Sequence, residues 1–263
     1  MNMTIGPYEI LHSIASGGMG EVFLARHNPT RREVALKVLY PQYSRDPEFV
    51  ARFMREAQAT VQLRHHNVVE VFDANMVDGS YYIAMENLSG GSLSAYLAQL
   101  RKAGQIMPVE EVLAIARQIA SALDYAHQRG FIHRDIKPSN VLRAADGRWV
   151  LTDFGIVLSH GATKLTRSVS IMGTAEYMSP EQGQGREVDN RTDIYALGVV
   201  MYEMLTGRLP FEAETPVALL YKHVHEPPPV ISRIRPGLAP CVAAVVNRAM
   251  AKKPEQRFSS AAE

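Results

Sequence analysis

The prevailing spacing of apolar residues changes near residue 88 of this chain, and that change fixes the order of its parts. Through residue 85 they fall mostly in short alternating runs, around one stretch of helical spacing; beyond Gly90-Gly91 helical spacing prevails. Alternation puts every second side chain on one face of a strand, whereas a three-and-four spacing lines one face of a helix. Tyr8–Ile14, Glu21–Arg26 and Glu33–Leu39 are rich in β-branched and aromatic residues, are split by glycines and by Asn28-Pro29, and predict three strands. From Asp46 to Leu63, Phe49, Phe53, Ala57 and Val61 stand at helical spacing behind Asp46-Pro47, which predicts one helix. Val68–Asn75 and Tyr81–Met85, around Asp78-Gly79-Ser80, add two strands.

The rest reads as helices: Ser92–Lys102, Val109–Arg129 before Gly130, the apolar Thr192–Leu205 before Gly207, Pro216–His225 and Pro240–Ala251, with Pro227-Pro228-Pro229 dividing the last two. A small sheet with one helix (residues 1–85) precedes a larger helical part (residues 89–263), with residues 86–88 between them. The predicted fold class is therefore α+β, in two unequal lobes.

Composition removes several function classes. A net charge of +1 gives no global field for nucleic acid or an anionic membrane. The single cysteine, Cys241, allows no intrachain disulfide and suits a reducing compartment. The nine histidines show no metal-ligand spacing. No run approaches the roughly 20 apolar residues that span a bilayer, and Met1 to Pro7 lacks the pattern of a secretory signal. The expected location is cytoplasmic. Phe258 to Glu263 reads as the opening of a helix, as in a fragment of a longer chain.

Three groups of residues carry chemistry. Gly17-Gly18-Met19-Gly20 lies between two predicted strands, where glycines can bring backbone N–H groups against phosphate oxygens or simply make a turn. Because a strand follows, a dinucleotide-binding reading fails. Lys37, in Val34-Ala35-Leu36-Lys37, either points outward or is buried with a carboxylate partner, for which Glu56 in the only helix of the small part is the natural choice. Third is His133-Arg134-Asp135-Ile136-Lys137-Pro138-Ser139-Asn140, followed by Asp153-Phe154-Gly155 after the strand-like Trp149–Thr152.

In this order the motifs resemble the protein kinase family, over nearly the whole chain from the glycine-rich loop to Arg257. Ser179-Pro180-Glu181-Gln182 and Gly17-Gly18-Met19-Gly20 look most like the bacterial serine/threonine kinases. The resemblance implies ATP as phosphoryl donor, with Mg²⁺ or alternatively Mn²⁺ held by Asn140 and Asp153. It implies that Lys37 holds the α- and β-phosphates with Glu56 steadying it, that Asp135 orients the acceptor hydroxyl and takes its proton, and that Lys137 neutralises the transferring group. That lysine also points to serine and threonine acceptors.

The same resemblance puts Ile14, Gly17, Gly18, Gly20, Val22, Ala35 and Leu142 around the nucleotide, Met85 as gatekeeper, and Glu86 to Leu88 as the connector whose backbone reads adenine. Thr174 links the acceptor platform to the catalytic loop, Asp193 accepts hydrogen bonds from that loop, Arg257 braces Glu181, His133 packs beneath the loop, and Phe154 and Thr60 are core residues. One departure stands out. Ala15 replaces the family's first glycine, and if that position needs positive φ the cost is about 1 kcal/mol.

Between Asp153 and Glu181 lies a polar loop with Thr163, Thr166, Ser168 and Ser170. Arg134 beside the base wants an anionic partner, and the resemblance to the bacterial kinases implies, by position, that Thr166 and Ser168 are the autophosphorylation sites. The implied partners are protein substrates and a second copy in trans as a transient dimer, with no nucleic acid. Two rivals are weighed. A pseudokinase scaffold would lack Lys37, Asp135 or Asp153, and all are present. A small-molecule phosphotransferase would not need Gly173-Thr174 or Ser179-Pro180-Glu181.

Overall fold

The computed structural model describes residues 3–154 and 175–263, apart from the side chains of Arg52, Glu56 and Ala59. Its first part is an antiparallel sheet of β1 (Thr4–Ile5), β2 (Tyr8–Ser16), β3 (Gly20–His27), β4 (Glu33–Leu39), β5 (Val71–Val77) and β6 (Ser80–Glu86), in the order β1-β2-β3-β4-β6-β5. Register decides which side chains share a face. Val22 and Ile83 lie opposite Lys37, and Leu24 and Met85 opposite Ala35, so these six and Leu39 point to the same side.

Helix α1 (Pro47–Val61) covers that side, with Phe53 and Ala57 packed against Leu39 and Ile83. On the other face Ala25, Val34, Leu36, Tyr82 and Ala84 cluster with Ile5 and Tyr8. Register shifts in β2 after Ile10 and after Ser13 bend that strand and help the end of the sheet curl over. Gly20 allows β3 and β4 their close approach: a Cβ there would sit 2.2 Å from the Val38 carbonyl oxygen.

The second part is mainly helical. Helix α2 (Leu93–Lys102) is capped by Ser92, whose hydroxyl accepts the Ala95 N–H. Helix α3 (Val109–His127) follows, then a 3₁₀ turn (Pro138–Asn140) and the hairpin β7 (Val141–Arg143) with β8 (Trp149–Leu151). Beyond them come α4 (Pro180–Gly183), α5 (Arg191–Thr206), α6 (Pro216–His225), α7 (Ile231–Ile234) and α8 (Pro240–Ala249).

Every residue of α5 from Thr192 to Thr206 is buried. The apolar run thus becomes the shaft on which α3 and α8 pack, through Ile115, Ile119, Leu123, Val199, Tyr202 and Val246. It ends where the sequence places its stop, on Gly207 at φ 74°. No helix among the described residues is long and apolar enough to cross a membrane.

Two expectations are corrected. The strand expected from Val68 begins at Val71, because Val68 bridges to Leu151 and the Val69 N–H donates to the Leu151 carbonyl at 3.0 Å. Those two residues thus tie the sheet to the helical part. The helix opening expected at Phe258 to Glu263 does not form. Residues 259–261 bend, and the Glu263 carboxylate accepts from the Ser259 N–H at 2.9 Å and hydroxyl at 3.0 Å, a local side-chain bond that competes with the helical ladder.

Candidate active site

The two parts of the fold meet at an ion pair. Lys37, central in β4, places its ammonium 2.7 Å from Asp153 Oδ1, 116 residues away in sequence. Glu56 lies on α1 against the same face of the sheet; its side chain is not among those described. A second cluster sits on the loop before β7. Asp135 Oδ2 accepts from Lys137 Nζ at 2.8 Å and from Asn140 Nδ2 at 3.1 Å, and Nδ2 also donates to the Asp135 carbonyl at 2.8 Å.

The clusters are fastened to each other through Thr152, whose N–H and hydroxyl both donate to the Asn140 carbonyl, at 2.9 and 3.2 Å. Fully buried His133 adds a second strap. Its Nδ1 accepts the Asp135 N–H at 3.3 Å, so Nε2 carries the hydrogen and donates to the Thr152 carbonyl at 2.9 Å. The imidazole ring packs on Phe154, with centroids 4.7 Å apart.

Two residues of this constellation hold left-handed backbone, Arg134 at φ 67° and Asp153 at φ 52°, a conformation that costs a non-glycine residue about 1–3 kcal/mol. Asp193, in the first turn of α5 and fully buried, supports the first of them. Its carboxylate accepts from the His133 N–H at 2.8 Å, the Arg134 N–H at 2.7 Å and His127 Nε2 at 2.8 Å. The Arg134 carbonyl in turn accepts from Gln182 Nε2 at 2.9 Å. Arg134 Nε is buried without a hydrogen-bond partner among the described residues.

Beneath the site, Arg257 grips Glu181 with two parallel bonds of 2.7 and 2.8 Å, and the Thr192 hydroxyl adds a third at 2.8 Å. Burial pushes the Glu181 carboxyl up, but the arginine and these hydrogen bonds outweigh it and leave its pKa below the ordinary value. Phe154 and Thr60 are both buried. Beside the loop, Glu176 is pushed up by burial and by the neighbouring Glu203. Glu203 itself takes the Tyr177 hydroxyl at 2.6 Å and Arg101 at 3.0 Å.

On the sheet side, Val22 and Ala35 share the face of Lys37, Ile14 is exposed on β2, and Leu142 rises from β7. Gly17 N–H closes the hairpin on the Gly20 carbonyl at 2.9 Å. Neither Ala15, Gly17, Gly18 nor Gly20 has positive φ. The strain weighed for Ala15 therefore does not arise: it is an ordinary β2 residue opposite Val22. Met85 and Leu88 pack together against Val69, Ala144 and Val150, and one small cavity is lined by both Met85 and Asp153. Thr166, Ser168 and Thr174 lie outside the described residues.

Sequence reasoning missed Arg148 and Gln182. Arg148 pairs with the carboxylate of Glu86, the last residue of β6, and donates to the His66 carbonyl at 2.8 Å and to Asp146 at 3.1 Å. Its only signal was a charged residue beside a turn. Gln182 stood in a quoted motif, but nothing local announced that it reaches Arg134.

The donor set suits a hard divalent cation. Because Asn140 spends its amide nitrogen on Asp135, its amide oxygen is the atom left for a ligand, and Asp153 supplies carboxylate oxygen. Oxygen atoms of this kind, completed by water and phosphate, are what such an ion takes. Among the described residues no group of three or more His, Cys, Asp or Glu could hold a metal unaided.

A curled antiparallel sheet carrying a lysine, set on a helical body that carries an aspartate, a lysine, an asparagine and a second aspartate, has the architecture of a bilobal kinase domain. The chain belongs to the protein kinase family: the family model described as protein kinase domain matches residues 8–262. It is 41% identical to the serine/threonine-protein kinase PrkC of Bacillus subtilis over 256 residues, 97% of this chain and 39% of the relative. It is 44% identical to PknJ of Mycobacterium tuberculosis over 262 residues, 97% of this chain and 44% of the relative. The crystal structure of the Mycobacterium tuberculosis PknI kinase domain is similar at TM-score 0.76 and 35% identity, covering 99% of this chain and 94% of that one. The chain spans about two fifths of the length of these curated relatives. The family uses ATP and a divalent metal.

Proposed function

We propose that this chain transfers the γ-phosphoryl group of ATP to serine and threonine hydroxyls of proteins. The observation that carries this reading is the meeting of Lys37 and Asp153 beside Asp135, Lys137 and Asn140. Phosphoryl transfer asks for positioning and charge neutralisation around a crowded triphosphate, and little covalent chemistry from the protein. Lys37 trades its contact with Asp153 for the α- and β-phosphates, with Glu56 steadying the ammonium. Asn140 and Asp153 hold Mg²⁺, with Mn²⁺ as the alternative; when bound, the ion neutralises and orients the phosphates.

Asp135 orients the acceptor hydroxyl and accepts its proton as that oxygen bonds to phosphorus and the bond to ADP breaks. Lys137 offsets charge on the moving group, and Thr174 ties the acceptor platform to this loop. Adenine lies between Ile14, Val22 and Ala35 above and Leu142 below, with Gly17, Gly18 and Gly20 over the phosphates. Met85 guards the rear, and the backbone of residues 86–88 joins the lobes 1–85 and 89–263 and reads the base. Such a chain works where ATP is, in the cytoplasm.

Regulation follows from Arg134. A buried guanidinium nitrogen unpartnered among the described residues is a ready receptor for a phosphate. We assign that phosphate to Thr166 and Ser168, placed by a second copy acting in trans during a transient encounter. The pseudokinase alternative has no support in this site, which keeps Lys37, Asp135 and Asp153.

The test is transfer of radiolabelled phosphate from ATP to the chain itself and to a basic protein substrate. Asp135→Asn is expected to abolish transfer and keep nucleotide binding; transfer at the wild-type rate in that variant would sink the reading. Phosphosite mapping that finds Thr166 and Ser168 unmodified in a fully active preparation would remove the regulatory part.

A further inference from the structure

Gln182 is the third residue of α4, and its side chain does two jobs at once. Its Oε1 accepts the Ser179 N–H at 3.0 Å while the Ser179 hydroxyl accepts the Gln182 N–H at 3.4 Å, a reciprocal cap on the helix. That leaves Nε2, which reaches out of the helix to the Arg134 carbonyl, 48 residues away, at 2.9 Å. The peptide it grips joins left-handed Arg134 to Asp135. The N–H of the same peptide is held by His133 Nδ1, and the two preceding N–H groups by Asp193. Among these four bonds, Gln182 makes the one that takes the carbonyl.

Resting on the kinase reading above, we propose that Gln182 is a positioning residue for Asp135, setting the plane of the peptide that aims its carboxylate at the acceptor hydroxyl. A left-handed non-glycine residue relaxes unless its neighbours hold it, and rotation of the 134–135 peptide swings the Asp135 side chain with it. Nothing in this role touches nucleotide. Loss of the contact therefore lowers turnover and leaves ATP affinity alone.

The cap and the grip can be separated by chemistry. Gln182→Glu keeps an oxygen for the Ser179 N–H, since glutamate serves as well as glutamine at this position of the cap, but its carboxylate cannot donate to a carbonyl. Gln182→Ala loses both. In the full chain, kcat is expected to fall about tenfold in both variants, the size of one lost hydrogen bond expressed as rate, with the KM for ATP within about twofold. Melting is expected to fall less in Gln182→Glu, which keeps the cap, than in Gln182→Ala, which loses both contacts.

Wild-type kcat in Gln182→Glu would overturn the proposal. So would a KM for ATP that rises as far as kcat falls, because the loss would then lie in the whole site and not in the aim of Asp135. An inactive wild-type chain would instead overturn the kinase reading itself.

Discussion

Arg257→Ala removes a guanidinium whose N–H groups are fully committed. Two go to the Glu181 carboxylate at 2.7 and 2.8 Å, and three to the carbonyls of Ala251 at 2.7 Å, Arg191 at 2.9 Å and Lys252 at 3.1 Å. Five bonds account for every donor an arginine has. The arginine side chain is 0% exposed and its partner 6%, so truncation strands a carboxylate out of water, a change that costs about 3–5 kcal/mol. Against a total stability of roughly 5–15 kcal/mol, the variant lies near the threshold of folding.

Urea unfolding followed by tryptophan fluorescence is the appropriate assay, because the single tryptophan, Trp149, is buried in the helical part where the pair lies. With slopes of about 1–3 kcal/mol per molar urea, a midpoint lower by more than 1 M is expected. There is also a pH signature. The folded Glu181 titrates below its ordinary value, so the pair's contribution is complete above that value and is lost as pH falls through the folded pKa. Arg257→Ala should flatten this acid limb. A cost below about 1 kcal/mol, the range of exposed pairs, with an unchanged acid limb, would refute the reasoning.

Gly20→Ala drives a methyl group to 2.2 Å from a backbone oxygen that cannot step aside; a loss of about 1–3 kcal/mol in sheet stability is expected, read as faster amide exchange in β3 and β4 together with a raised KM for ATP. Restoring the family glycine with Ala15→Gly gains nothing, because Ala15 has no positive φ; unfolding should show a loss of about 0.5–1 kcal/mol. Buried His223, bonded to the Tyr195 hydroxyl at 2.9 Å, is depressed to about 4 by burial and by Lys252. It stays neutral in the folded state while the unfolded chain takes up a proton near pH 6.5, so stability falls progressively between about pH 6.5 and 4, by at most about 3 kcal/mol. Melting curves of His223→Gln should lack that component.

The elements that sequence placed well are those whose own residues decide them. Glu33–Leu39 and Pro216–His225 keep their predicted bounds, and α5 keeps its glycine stop, because alternation, a first-turn proline and a left-handed glycine act locally. What escaped depends on distant partners. Val68 and Val69 carry β-branched side chains like the residues after them, yet they leave the sheet for Leu151. Gly20 reads as one of three loop glycines, but what requires it is the passage of the neighbouring strand at Val38. The candidate site divides the same way. His133 to Asn140 was legible as a motif, whereas the supports from Gln182 and Arg148 appear only once 48 and 62 residues of chain have folded back on themselves.

The position of Asp193 explains how a strained loop can rest on a helix. Its helix is buried on all sides, so the shaft cannot rotate without opening the core contacts of Val199, Tyr202 and Val246. The carboxylate stands in the first turn, where the N-terminal end of the helix dipole favours negative charge, and three donors from two other segments satisfy it. Two of them are consecutive peptide N–H groups, which can face the same carboxylate only if the backbone turns sharply at that point. That turn lies at His133, and left-handed Arg134 follows it and carries the chain on to Asp135. Buried Asp193 therefore supports the strained stretch from in front: it fixes the two peptides that lead into left-handed Arg134, a conformation that an unsupported chain would abandon.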